Sequence, residues 1–162
     1  MSFVLIDRIV ALEAGSSITA VKSPSLSEEY LQDHFPQFPV MPGVLMLEAM
    51  CQAASWLLRV TDDFSHSVVL LKEARNVKYS GFVRPGEMLT VFAEIQKRED
   101  RQTTIKATGR IGDKKVVSAR LILEQRNLAD ENPDQATIDG ILVKRQKRDL
   151  SMLYSAMPEV RA

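Results

Sequence analysis

The chain has 162 residues, and its 21 Lys and Arg balance its 21 Asp and Glu. That length supports one domain with a real core, and the charge balance supplies no global field for nucleic acid or an anionic membrane. The single cysteine, Cys51, rules out an intrachain disulfide, and together with only two histidines, His34 and His66, it offers no metal-ligand spacing.

The N-terminus lacks the basic region and apolar stretch of a secretory signal, so the chain reads as cytoplasmic. Phe3 to Ala11 and Ser17 to Ser23 are expected as strands joined at Ala14-Gly15. Glu28 to Asp33 is expected as a short helix capped by Ser27. A proline-fixed loop follows, His34-Phe35-Pro36-Gln37-Phe38-Pro39-Val40-Met41-Pro42-Gly43. From Gly43 to Val60 no proline and no internal glycine interrupts a run dominated by Leu, Met and Ala, which predicts a helix. Its polar residues, Glu48, Gln52, Ser55 and Arg59, fall on one narrow line, and the other faces are apolar. Such a helix is largely surrounded by protein, and its interruptions by Glu48, Gln52 and Arg59 make it a poor membrane span.

Ser67 to Tyr79 is rich in Val and Leu. Three further segments alternate with period two: Leu89 to Gln96, Ile105 to Ile111 and Val117 to Glu124, with Gly112-Asp113 as a tight turn between the last two. Two early strands, one long buried helix and four later strands describe an α+β domain, an antiparallel sheet wrapped round a helix. We place this domain at residues 1–125 and a C-terminal extension at 126–162. Arg126 to Pro133 is polar and reads as a linker; Asp139 to Val143 adds a strand or a helical turn. Lys144 to Arg148 is a basic cluster, followed by Leu150, Met152, Leu153 and Tyr154. The cluster is either a solvated charge run with an apolar anchor or a docking surface for an acidic partner.

Taken singly, His34, the prolines and Glu48 are a turn residue, a rigid loop and the solvent edge of an amphipathic helix. Together they place a histidine, a Pro-Gly helix start and a carboxylic acid in one short apolar segment. That is the set needed for proton transfer beside a carbonyl. A neutral imidazole suits the base, the free Gly43 amide at the helix start suits an oxyanion, and Glu48 suits the acid, with Gln52 one turn on to orient it.

The stretch HFPQFPVMPGVLMLEAMCQ, His34 to Gln52, resembles the signature of the FabZ-type 3-hydroxyacyl-acyl-carrier-protein dehydratases, including the spacing of 14 from His34 to Glu48. Weaker similarity covers about residues 4 to 125, through Asp7-Arg8 and the turn Val83-Arg84-Pro85-Gly86-Glu87. FabA-type relatives carry Asp at the Glu48 position and Trp at Cys51, so the FabZ branch is the nearer one. Gln37 stands where the family usually has Gly, and Tyr79-Ser80-Gly81-Phe82 replaces a Phe-Arg-Arg-Pro segment, so two positive charges at the carrier-protein entrance are missing.

The resemblance implies a hot-dog fold and the dehydration of a 3-hydroxyacyl thioester to the trans-2-enoyl thioester, without cofactor or metal. It implies His34 and Glu48 as catalytic residues, Gly43 and Val44 at the thioester oxygen, and Gln52 and Val40 in support. It further implies acyl carrier protein as partner, and a homodimer whose sites combine His34 of one protomer with Glu48 of the other, with dimers assembled into hexamers. A hot-dog thioesterase or a non-catalytic acyl-binding protein remain the alternatives.

Overall fold

The computed structural model describes residues 3–154. One six-stranded antiparallel sheet has the order β1-β2-β4-β5-β6-β3. Its strands are β1 (Arg8–Glu13), β2 (Ser17–Lys22), β3 (Val68–Tyr79), β4 (Leu89–Glu99), β5 (Gln102–Ile111) and β6 (Lys114–Arg126). The helix α1 (Gly43–Thr61) lies in the sheet's concave face, and α2 (Ala136–Leu153) follows β6 after two single 3-10 turns.

The period-two segments became β4, β5 and β6. Leu89, Val91, Ala93, Ile105, Ala107 and Leu121 turn inward and are fully buried. Met50, Ala53, Ala54, Leu57 and Leu58 of α1 meet them with no exposed surface. Among the described residues α1 is the one helix long and apolar enough to cross a membrane; in this fold the sheet wraps it. Three hairpins turn tightly: Gly15 and Gly112 hold positive φ, 77° and 55°, in two of them, and Asp100 holds φ 50° in the third, between β4 and β5. Gly109 meets a different demand: a Cβ there would stand 2.5 Å from Val117 Cγ1, so only glycine lets β5 and β6 approach as they do.

Several expectations need correction. The first strand starts at Arg8 instead of Phe3. Residues 3–5 run outside the ladder because the Gln52 side chain satisfies their backbone, accepting from Leu5 N at 2.8 Å and donating to Phe3 O at 2.9 Å. The expected helix 28–33 is only a 3-10 turn, Glu29–Leu31, with no side-chain cap; the Ser27 hydroxyl is 2.6 Å from that of Ser25 instead. The 126–133 segment is not an open linker: Arg126 ends β6, and Leu128–Asp130 and Pro133–Gln135 form the 3-10 turns. Asp139 to Val143 is neither a strand nor an isolated turn but part of the 18-residue α2.

Docking of α2 rests on a buried carboxylate. Asp139 accepts from the Ser67 hydroxyl, from Leu128 N at 2.8 Å and from Ala129 N at 2.9 Å. Gln146 donates to Ser67 O at 2.8 Å, and Leu150 and Leu153 pack on the core. The helix also splits the basic cluster. Lys147 sits over the Phe64 ring at 5.6 Å, whereas Arg145 and Arg148 line a cleft shared with α1.

Candidate active site

The loop before α1 is closed by its own backbone. Val40 N donates to His34 O at 3.0 Å, Phe35 and Phe38 exchange N–H···O bonds at 3.2 and 3.0 Å, and Met41 N donates to Val83 O at 2.8 Å. The last contact ties the loop to the Val83–Glu87 turn, itself fixed by Gly86 at φ 86° and by Arg84 N donating to the Glu87 carboxylate at 2.8 Å.

Within this frame His34 Nδ1 lies 2.9 Å from Val40 O. A carbonyl oxygen only accepts, so Nδ1 carries the proton, and in the neutral ring Nε2 presents a lone pair. The Phe35 ring stacks on the imidazole at 4.3 Å. Phe35, Phe38 and Phe82 are exposed around it, the last two edge to face at 5.8 Å, with Arg84 over Phe38 at 5.2 Å.

Pro42 precedes Gly43, the first residue of α1, and offers no side-chain cap. The N–H groups of Gly43 and Val44 therefore have no intrahelical acceptor and sit at the positive end of the helix dipole. A Cβ on Gly43 would stand 2.9 Å from Tyr79 Cε1, so the Tyr79 ring occupies the volume where any other side chain would start.

Glu48 lies a turn and a half into α1, half-buried. Gln52 Nε2 donates to Glu48 Oε1 at 3.0 Å, and the same amide is held by Phe3 O and Leu5 N, so the orienting group is itself fixed from both ends. Cys51 is adjacent and inward; burial first, then the nearby Glu48 charge, push its thiol up to about 12.

Glu48 and Gln52 open onto a cleft of about 540 Å³ between α1 and α2. Ser55, Trp56 and Arg59 continue its α1 wall; Arg145, Arg148, Asp149, Met152 and Leu153 form the other. The polar line on α1 was legible in the sequence, but as a possible solvent edge; it is a cleft wall. The α2 residues were expected as a basic cluster and an apolar anchor, not as a wall of this cleft, because the tail was not read as a helix. The geometry joins Glu48 to Gln52 and His34 to Val40. Within one protomer it does not bring His34 into the Glu48 cleft, whose described lining omits it.

The FabA-like domain family matches residues 1–120. The 3-hydroxyacyl-[acyl-carrier-protein] dehydratase FabZ of Levilactobacillus brevis is 39% identical over 115 residues, 71% of this chain and 78% of that protein. The FabZ of a Janthinobacterium species is 37% identical over 134 residues, covering 80% and 85%. Among solved structures, the dehydratase heterocomplex ApeI:P from Xenorhabdus doucetiae superposes with a TM-score of 0.64 at 17% identity, over 78% of this chain and 85% of that one, which is a likeness of fold. The antiparallel sheet around α1 is thus a hot-dog fold, and the chain belongs to the FabA-like family, in its FabZ-type dehydratase branch.

Proposed function

We propose that this protein is a 3-hydroxyacyl-[acyl-carrier-protein] dehydratase of fatty acid or related lipid biosynthesis, acting in the cytoplasm. Residues 1–125 carry the chemistry, and residues 126–162 extend the domain. His34 Nε2 removes the proton α to the thioester carbonyl. The electron pair moves toward the carbonyl oxygen, which the Gly43 and Val44 amides receive. The pair then returns to form the Cα–Cβ double bond as the Cβ–O bond breaks. Glu48 protonates the departing hydroxyl, which leaves as water, and solvent exchange resets both groups.

The observation that carries this reading is the Nδ1 contact of His34 with Val40 O, which directs the basic nitrogen away from its own loop. FabZ relatives support dehydration over thioester hydrolysis. Because His34 does not line the Glu48 cleft of its own protomer, we place the complete site between two copies, His34 from one and Glu48 from the other. The unpaired edge of β3 and the exposed Phe35, Phe38 and Phe82 are surfaces such a homodimer would cover.

The test follows enoyl absorbance and free thiol separately with 3-hydroxyacyl thioesters on carrier protein and on coenzyme A. Enoyl formation without thiol is expected; thiol as the main product would make the protein a thioesterase. His34→Ala and Glu48→Gln should each lower kcat by on the order of 10²-fold or more. Refolding the two inactive variants together should restore part of the activity, because one site of the mixed dimer keeps both native groups. Confirmed mixed dimers without recovery would place each site within a single chain.

A further inference from the structure

The polar line of α1 runs beyond the acid and its orienting amide. Arg59 lies eleven residues after Glu48, a rise of about 16 Å that returns to nearly the same face of the helix. Both residues line the one cleft. Arg59 stands over the Trp56 ring at 5.0 Å, and its Nε is sealed from solvent with no hydrogen-bond partner among the described residues. Burial pushes its guanidinium down to about 10. Across the cleft, Arg148 is paired with Asp149 at 3.1 Å, while Arg145 has no ion-pair partner among the described residues. A half-buried guanidinium without a carboxylate is a receptor for an oxyanion, since fewer waters compete for it than at an open surface.

The direction of the substrate follows from the dehydratase reading, on which this inference rests. With the thioester oxygen at the Gly43 amide of the protomer that supplies Glu48, and the β-hydroxyl at that Glu48, the acyl chain continues toward the C-terminal end of the same α1 and away from its carrier. Its methylenes pass Trp56, Val69, Met152 and Leu153, and its far end arrives at Arg59 and Arg145. We propose that the α1–α2 cleft selects 3-hydroxyacyl chains whose distal end carries a carboxylate, with Arg59 and Arg145 as the receptor. Two of its walls come from different parts of the chain: α1 belongs to the matched FabA-like segment, and α2 follows it.

Binding is measured by calorimetry on the full chain with saturated acyl-pantetheine thioesters, which lack the hydroxyl and cannot react. One ends in a carboxylate and its equal-length partner in a methyl group. The carboxylate form should bind about tenfold tighter or more, the worth of a charge-assisted hydrogen bond. Arg59→Leu and Arg145→Leu should each shrink that preference, and Arg59→Lys should retain part of it. Arg145 is exposed on α2, so its variant answers the question even if Arg59→Leu fails to fold. Equal affinity for the two thioesters, or a preference untouched by Arg145→Leu, would overturn the proposal. A parallel dehydration assay separates the two readings. Turnover of the methyl-ended 3-hydroxyacyl substrate with kcat/KM equal to that of the carboxylate-ended one removes the selectivity and leaves the dehydratase. A carboxylate preference in binding with neither substrate dehydrated keeps the receptor and removes the dehydratase.

Discussion

Replacing Gln52 with leucine keeps the side-chain size and deletes three hydrogen bonds at once. The amide accepts from Leu5 N at 2.8 Å and donates to Phe3 O at 2.9 Å and to Glu48 at 3.0 Å. Leu5 is only 1% exposed, so its N–H would be stranded out of water, at a cost of about 1–3 kcal/mol. The two partly exposed bonds add about 0.5–1 kcal/mol each, for a loss of about 3 kcal/mol in all. For a chain of this size that is a drop in Tm of about 6–12 °C at fixed protein concentration. Glu48 also loses its only side-chain hydrogen-bond partner among the described residues. An acid that wanders from the leaving hydroxyl should lower kcat by about tenfold, about 1.4 kcal/mol of barrier, with little change in KM. Thermal melts followed by calorimetry give the first number; initial rates at least 15 °C below the variant's transition give the second. An unchanged kcat beside the expected fall in Tm would reduce Gln52 to an N-terminal clamp. An unchanged Tm would refute the hydrogen-bond reasoning itself.

Other outcomes follow from the same geometry. The carboxyl of Asp139 is pulled in two directions: desolvation raises its pKa, while bonds from Ser67, Ala129 N and Leu128 N lower it, and the net shift is downward. A folded-state pKa below the unfolded one stabilises above the unfolded value and loses that stabilisation as pH falls through the folded value. Limited proteolysis should therefore cut within α2 increasingly as pH falls below about 4, and Asp139→Ala should show the same cutting at neutral pH; protection of α2 in that variant would mean that apolar packing alone holds the helix. Cys51, with its thiol pushed up to about 12, should resist alkylation in the native protein at pH 8 and react within minutes in denaturant; rapid labelling of the folded chain would contradict its burial.

The sequence showed most clearly what one element decides alone. α1 was readable because its composition, its proline-glycine start and its apolar faces all agree, and its observed end at Thr61 is one residue from the expected one. β4, β5 and β6 were readable because one face is buried and the other wet, which imposes alternation. Residues 3–5 were misread because the backbone partners of Phe3 and Leu5 are not in a neighbouring strand but on Gln52, 47 residues away for Leu5. The tail was misread because Gly140 and the β-branched Thr137, Ile138, Ile141 and Val143 weaken a helical reading. A signal was nevertheless present. Asn132 caps Pro133 by accepting from Asp134 N at 3.1 Å, and Leu142, Gln146, Leu150 and Leu153 recur at helical spacing on the face that packs inward. For the site, His34, Gly43, Glu48 and Gln52 were legible as a motif. Arg145 and Arg148 were not, because their approach to α1 is set by tertiary docking through Asp139.

The grip of Gln52 on residues 3 and 5 bears on how this protein is handled. The Phe3 carbonyl is one bond from the amide that orients Glu48, so the start of the chain and the acid share a joint. A bulky fusion or affinity tag placed directly ahead of Phe3 would pull on that joint and could be mistaken, in an assay, for a weak enzyme. Material for kinetics is better made with a cleavable leader and a generous flexible spacer, and a comparison of the two preparations would report on the joint without any substitution in the site.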